Sequence, residues 1–143
     1  MDQPNLDFAT TLIMRHTYQA PRERVFSAWT DPAALEQWFK PMGIPTRVPH
    51  LELRVGGSFR IELTNADKDI TGTYLVIEPP EKLVFTWVSP ATQHQETIVT
   101  LELIDHAGTT ELILTHERFA DEIMRQLHLA GWDSVMDQIE EVL

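Results

Sequence analysis

The sequence contains no cysteine, which excludes disulfide bonds, thiolate metal ligands and a cysteine nucleophile and fits a cytoplasmic protein. It also has no apolar run of the length that crosses a membrane. Its first residues lack the basic and apolar regions of a signal peptide. We therefore expect a cytoplasmic protein without a membrane partner.

Basic residues are scarce, with 11 lysines and arginines against 22 aspartates and glutamates and a formal net charge of −11. This charge disfavours binding to nucleic acid or to an anionic membrane surface, because both carry the same sign. A length of 143 residues, with 43% hydrophobic and 23% charged residues, is typical of one ordinary globular domain. We predict a single domain over residues 1–143, with residues 1–8 as a loose lead-in.

Short catalytic and metal-binding motifs are absent as well. The histidines are not spaced as H-x-H or H-E-x-x-H, and the sequence has no G-x-S-x-G nucleophile turn or phosphate-binding glycine loop. Gly56-Gly57 has the pattern of a two-residue hairpin turn. We predict no metal site and no cofactor, and no local motif marks a catalytic residue.

The pattern that is present is one strand, two short helices, six strands and a long helix. The first strand is predicted over residues 11–19, and helix-start signals follow at Pro21 and at Asp31-Pro32. Alternating apolar and polar residues with tight turns then indicate an antiparallel meander. Its predicted strands are residues 51–55, 59–63, 70–77, 83–88, 97–104 and 110–116. The predicted fold class is therefore α+β.

Residues 120–143 contain neither proline nor a cluster of turn residues, and we predict one long helix there. The predicted apolar stripe of this helix is Met124, Leu127, Gly131, Val135, Ile139 and Val142. His128 and Trp132 are placed at the edge of the stripe. Gly131 costs about 1 kcal/mol relative to alanine inside a helix. Its presence indicates either close approach to another backbone or space for another molecule.

Several short motifs occur in a fixed order along the chain. They are Ala20-Pro21, Val25-Phe26, Ala28-Trp29, Asp31-Pro32, Trp38-Phe39, residues 54–59, Gly72, Glu78-Pro79-Pro80, residues 83–87, residues 110–116, and His128 with Gly131-Trp132. From about His16 to Leu143, this ordered set resembles the START-like, or birch-pollen-allergen-like (SRPBCC), superfamily. Within that superfamily it resembles the family named after the activator of heat-shock-protein-90 ATPase.

The resemblance implies a helix-grip fold, in which a curved antiparallel sheet wraps around the long C-terminal helix and leaves a cavity between them. The superfamily includes lipid and hormone binders, aromatic polyketide cyclases and co-chaperone domains. A shared fold does not fix the function, so the implied activity has to come from the residues that reach the cavity.

Large aromatic side chains and two histidines make up the candidate site. The predicted ligand-binding residues are Trp38, Phe39, Phe59, Tyr74, Phe85, Trp87, His116, His128, Trp132 and Met136. Tyr74, His116 and His128 would orient a ligand, and the others would supply apolar surface. The alternative for the aromatic residues is plain core packing, and the alternative for each histidine is a hydrogen-bonded core residue.

Three functions remain open at this point. The leading one is a module that binds a small, largely apolar or aromatic molecule in the cavity. The second is an enzyme in the same cavity, of cyclase, dehydratase or hydrolase type, with His116 or His128 as general acid or base. The third is a stress protein that contacts a chaperone ATPase, and it ranks last because 143 residues leave no room for a second domain. A monomer and a homodimer both fit the sequence.

Overall fold

The computed structural model describes residues 9–64 and 68–143, so the predicted lead-in over residues 1–8 and the predicted turn over residues 65–67 lie outside the described residues. The strands are β1 (Leu12–Tyr18), β2 (Thr46–Leu51), β3 (Ser58–Leu63), β4 (Lys68–Glu78), β5 (Lys82–Trp87), β6 (Thr97–His106) and β7 (Thr109–Glu117). The α-helices are α1 (Arg22–Thr30), α2 (Pro32–Trp38) and α3 (Glu122–Val135). Short 3₁₀ helices lie at Pro41–Gly43, Pro90–Thr92 and Gln138–Val142.

The strands in the described residues form one antiparallel sheet in the order β1-β7-β6-β5-β4-β3-β2. Strands β2 to β7 are therefore a meander in chain order, and β1 pairs with the side of β7 that the meander leaves open. The predicted α+β helix-grip fold is confirmed. The core lies between the inner face of the curved sheet and the helices.

The predicted strand over residues 51–55 is wrong, because β2 ends where the predicted strand begins. Leu53 and Val55 alternate with polar residues in the sequence, but they are 43% and 64% exposed, so their alternation does not mark a buried face. The true strand contains Pro49, which makes it resemble a loop in the sequence. Proline is tolerated there because β2 is an edge strand of the sheet.

The outer edge of β2 is partly covered by α2. The carboxylate of Glu36 accepts a hydrogen bond from the backbone N–H of Val48 across 2.8 Å. The next residue, Pro49, has no N–H to donate. The pairing of β2 with β3 also shifts register between Arg47 and His50. The Glu36 hydrogen bond therefore ties α2 directly to the edge strand.

Helices α1 and α2 are joined by Asp31, which ends the first helix and begins the second. Its carboxylate accepts a hydrogen bond from the N–H of Ala33, and Pro32 occupies the first helical position, as the sequence predicts. Trp38 at the end of α2 donates its indole N–H to the carbonyl of Ala28 across 2.7 Å. Because the Trp38 side chain is fully buried, this bond fixes α2 against α1.

The predicted long C-terminal helix is confirmed. It begins after Asp121, whose carboxylate caps the first turn. Its α-helical part ends at Val135, and the chain continues as the 3₁₀ helix Gln138–Val142. The hydroxyl of Tyr18 donates a hydrogen bond to the carbonyl of Met136 across 2.6 Å where the α-helix ends. Among the described residues, no helix is long and apolar enough to cross a membrane.

The buried face of α3 is rotated relative to the predicted stripe. The buried residues of α3 are Met124, His128, Trp132 and Val135. Leu127 is 61% exposed, whereas Trp132 is 3% exposed. The prediction that Trp132 lies at the edge of the stripe is therefore wrong. Hydrophobicity alone places Leu127 inward, but this leucine lies at the rim of an opening beside α3.

Candidate functional site

A semi-enclosed apolar pocket of about 160 Å³ lies between α3 and the neighbouring ends of β3, β4 and β5. The 3₁₀ helices Pro41–Gly43 and Pro90–Thr92 contribute part of its wall. The lining residues are Phe39, Pro41, Leu63, Lys68, Ile70, Trp87, Ser89, Pro90, Ala91, Leu127, His128, Gly131 and Trp132. The pocket therefore occupies the interface between sheet and helix at which the resemblance places a cavity.

A second cavity of about 20 Å³ adjoins this pocket, because Phe39 and Trp87 line both spaces. The other lining residues of the second cavity are Trp29, Leu35, Leu51, Phe59, Ile61, Tyr74 and Phe85. The ring centroids of Phe39 and Trp87 are 6.1 Å apart, and the rings meet edge to face. These two side chains form the wall that the pocket and the second cavity share.

Gly131 lies in the helical wall of the pocket. A Cβ atom placed on this residue would meet no heavy atom within 4 Å, so close approach of another backbone does not explain the glycine. The other sequence-based interpretation, that Gly131 leaves space, agrees with its position. A side chain at residue 131 would occupy volume that now belongs to the pocket.

The predicted site residues are divided between the two spaces. Phe39 and Trp87 line both, His128 and Trp132 line only the pocket, and Phe59, Tyr74 and Phe85 line only the second cavity. Trp38, His116 and Met136 line neither and are buried in the core. Ligand binding by these residues stays a prediction, and the geometry now separates those that reach open space from those that support them.

His116 lies on the side of Trp132 away from the pocket, in a chain of hydrogen bonds that runs from Trp132 through His116 and Thr97 to Trp87. The indole N–H of Trp132 donates to Nδ1 of His116 across 3.0 Å, and Nε2 of His116 lies 2.7 Å from the hydroxyl oxygen of Thr97. That hydroxyl donates to the carbonyl of Trp87 across 2.6 Å. Because a carbonyl oxygen can only accept a hydrogen bond, the hydroxyl proton of Thr97 is used in the bond to the carbonyl of Trp87. His116 must then carry its own proton on Nε2 and donate it to Thr97.

The environment keeps His116 neutral. Burial holds the pKa of His116 well below its usual value, and the nearby His128 lowers it further. A proton added at Nδ1 would also face the indole N–H of Trp132, so two donors would oppose each other. The role of His116 in this geometry is to orient Trp132 in the pocket wall, and the acid–base role considered from the sequence is disfavoured.

His128 reaches the pocket directly. Its Nδ1 lies 2.8 Å from the carbonyl of Met124, so this nitrogen bears a proton and donates it. The ring packs against His116 and Phe119, with centroid distances of 5.2 Å and 4.8 Å. Burial lowers the pKa of His128, while the hydrogen bond to Met124 acts in the opposite direction. In the neutral ring, Nε2 is an acceptor that no described residue uses.

Two polar groups of the second cavity also lack protein partners. Within the described parts of the chain, Nε1 of Trp29 is the one fully buried side-chain nitrogen or oxygen without a hydrogen bond. The hydroxyl of Tyr74 makes no hydrogen bond within those ranges either, and burial raises the pKa of Tyr74 above its usual value. A space of about 20 Å³ has room for roughly one water molecule.

The pocket contains little charge. Lys68, which is exposed at the rim, is the one lining residue with a full charge at neutral pH. Nowhere in residues 9–64 and 68–143 do three or more histidine, aspartate or glutamate side chains cluster around a common metal position. The lining therefore suits a neutral and mainly apolar occupant.

Several lining residues were not predicted from the sequence. Leu63, Ile70 and Pro90 reach the pocket only because the ends of β3, β4 and β5 meet beside α3. Thr97 supports His116 from the neighbouring strand, and no sequence signal distinguishes it from other strand threonines. Gly131 did give a signal, because glycine destabilises the interior of a helix and its presence there indicates another structural or functional requirement.

A comparison with protein families matches residues 19–143 to the family described as activator of Hsp90 ATPase homolog 1-like protein. The chain belongs to this family. The resemblance expected from the ordered motifs is confirmed by this match, which covers nearly the whole sequence. We refer to it below as the Hsp90-activator-like family.

Solved structures share the fold of this Hsp90-activator-like chain. A protein of Chromobacterium violaceum is 26% identical, with a TM-score of 0.80 over 93% of this chain and 96% of that one. CalU16 of Micromonospora echinospora is 29% identical, with a TM-score of 0.71 over 94% and 76% of the two chains. An HSP90 activator of Plasmodium falciparum is 24% identical, with a TM-score of 0.75 over 93% and 95%. At that lower identity the likeness concerns the fold alone.

A curated relative is an uncharacterised protein of Schizosaccharomyces pombe, which is 26% identical over 102 residues. The match covers 69% of this chain but 27% of the relative. The chain thus spans about a quarter of the length of the curated relative it matches.

Proposed function

We propose that this Hsp90-activator-like chain is a binding module for a small, largely apolar or aromatic molecule, held between the sheet and α3. The observation that carries the proposal is the apolar pocket of about 160 Å³ beside Gly131. Protein interiors are normally filled to the density of organic crystals. An apolar space with a glycine in its wall is therefore better explained by an occupant than by packing.

The volume of the pocket indicates the size of that occupant. An engineered apolar cavity of about 150 Å³ in another protein holds benzene, so this pocket matches roughly one aromatic ring with small substituents. Phe39, Trp87 and Trp132 supply flat walls for such a ring, since aromatic pairs gain about 0.5–1.5 kcal/mol beyond their buried area. The part of a larger ligand that exceeds this volume would extend past Leu127 at the rim.

The proposal is tested with toluene as the probe, by following the indole N–H signals of Trp87 and Trp132 in NMR spectra during a titration. We expect saturable shifts in the parent protein and none in Gly131→Leu, because leucine fills the pocket. Ala130→Leu is the matched control, since residue 130 is exposed on the same helix. It adds the same side chain outside the pocket and should bind toluene normally.

Two outcomes would contradict the proposal. One is the absence of saturable binding in the parent protein, and the other is equal binding in Gly131→Leu and Ala130→Leu. A larger side chain at Met136 would not fill the pocket in the same way, because Met136 is a core residue outside the lining. Thermal melts of both variants show whether each is folded when it is titrated.

The other two functions stay predictions. For an enzyme in the same pocket, His128 is the histidine with a free nitrogen, and turnover of a bound compound would establish it. For contact with a chaperone ATPase, the support is the description of the family, and a pull-down with the host's chaperone is the test. The cytoplasmic location and the choice between monomer and homodimer also stay predictions.

A further inference from the structure

We propose that the pocket selects aromatic ligands bearing a neutral hydrogen-bond donor, with a phenolic hydroxyl as the simplest case, and that Nε2 of His128 accepts this bond. The inference rests on the proposed function, because it names the ligand class for the same pocket. The proposed function specifies the size and apolar character of the ligand, whereas this inference specifies its polar group and the protein atom that binds that group.

The first step is the protonation pattern of His128. Its Nδ1 lies 2.8 Å from the carbonyl of Met124, one turn earlier in the same helix. A carbonyl oxygen has no proton to give, so Nδ1 is the donor and the neutral ring has its lone pair on Nε2. The backbone of α3 therefore determines that His128 offers an acceptor rather than a donor.

The second step is that Nε2 is accessible and unused. His128 is 8% exposed and lines the pocket. In the described residues, Nε2 has no hydrogen-bond partner. The one fully buried side-chain nitrogen or oxygen without a partner in those residues is Nε1 of Trp29, so Nε2 of His128 is not fully buried. The remaining side of the ring is covered by His116 and Phe119. Because His128 lines the pocket, we place Nε2 on the pocket side of the ring.

The third step concerns the other polar side chains of the lining. The indole N–H of Trp132 is already bonded to His116, and Lys68 at the rim has only donors. Ser89 forms a capping box with Thr92, in which its side chain accepts a backbone N–H. Ser89 keeps a second lone pair on its hydroxyl, whereas Nε2 of His128 is the lining acceptor atom that makes no hydrogen bond at all within the described residues.

The energetic consequence is selectivity for a donor. A ligand of the same shape without a donor would cover Nε2 and leave it unpaired, which is the costly case for a buried polar group. Sites that bind a substrate hydroxyl through a hydrogen bond discriminate strongly against analogues that lack it. A phenol satisfies Nε2, and its ring fills the apolar space beside Gly131.

The test compares phenol with toluene, which differ by a hydroxyl in place of a methyl group. Both are titrated into the parent protein and into His128→Phe, which keeps a ring of similar size but has no acceptor. We expect His128→Phe to lower the ratio of phenol affinity to toluene affinity at least about tenfold. Equal losses for both compounds, or no loss for phenol, would overturn the inference.

A second measurement does not depend on the folding of the variant. In the parent protein, the ¹⁵N resonance of His128 Nε2 should shift when phenol is added and stay in place when toluene is added. If toluene binds and phenol leaves Nε2 unchanged, the inference fails while the proposed binding function stands. If neither compound binds, the proposed function fails as well.

Discussion

Trp132 donates its indole N–H to Nδ1 of His116 across 3.0 Å, so a side chain of the pocket wall is held by a histidine that does not touch the pocket. The bond joins the last turn of α3 to β7. Since Thr97 completes the chain on β6, the position of the wall depends on two neighbouring strands and the helix together.

Stability should decrease as the pH falls below about 6.5. His116 and His128 have lowered pKa values in the folded protein, so the unfolded chain binds protons near pH 6.5 before the folded chain does. Each such histidine adds a slope of at most about 1.4 kcal/mol per pH unit to the free energy of unfolding. Urea denaturation at pH 7.0, 6.5, 6.0 and 5.5 measures this slope. A flat profile over this range would contradict the prediction.

Thr97→Val should destabilise the protein by about 1–3 kcal/mol, because it leaves the buried Nε2–H of His116 without an acceptor. Chemical denaturation measures the loss. Thr100→Val is the control, since residue 100 lies on the same strand and its side chain makes no hydrogen bond in the described residues. Similar losses in both variants would show that the hydrogen-bond chain contributes little.

Gly131→Ala should stabilise the protein by about 0.8–1.0 kcal/mol, because alanine is the better helix former and its Cβ meets no atom within 4 Å. For a chain of this length, the melting temperature should rise by a few degrees. Differential scanning calorimetry provides the measurement. A lower melting temperature would mean that the space beside this residue is smaller than the structure shows.

Gly72→Ala should have the opposite effect. A Cβ on this residue of β4 would collide with the carbonyl oxygen of Thr86 and with the ring of Phe59. The carbonyl belongs to the backbone of β5 and has little room to move, so we expect a loss of about 1–3 kcal/mol. The same calorimetric comparison with Gly131→Ala separates steric collision from helix propensity. A melting temperature of Gly72→Ala at or above that of the parent protein would contradict the predicted collision.

Much of the fold was predictable because local signals agreed with the final structure. Asp31-Pro32 marks the start of α2 in the sequence, and Asp31 caps that helix in the structure. The alternation over β6 and β7 reflects strands with one face on the core. β2 was misplaced because Pro49 makes its sequence resemble a loop. A proline is acceptable in an edge strand, but whether a strand lies at the edge depends on tertiary pairing, which the local sequence does not show.

The candidate site was predictable only in part. Trp87 and Trp132 line the pocket, because large aromatic residues on facing elements converge in a helix-grip fold, and their role in ligand binding stays a prediction. The sequence does not show that His116 points at Trp132 while His128 points at open space. That distinction depends on how α3 is rotated about its axis. Leu127 is apolar but exposed, so a stripe predicted from hydrophobicity alone gives the wrong rotation.

The covered edge of β2 has a consequence for aggregation. An exposed edge strand offers a row of free N–H and C=O groups to which another chain adds readily. In β2 the N–H of Val48 is bonded to Glu36, Pro49 has none to offer, and the register shift before His50 interrupts the regular spacing. This edge is a poor template for an incoming strand, so sheet extension between two copies would have to use β1, the other edge strand in the described residues.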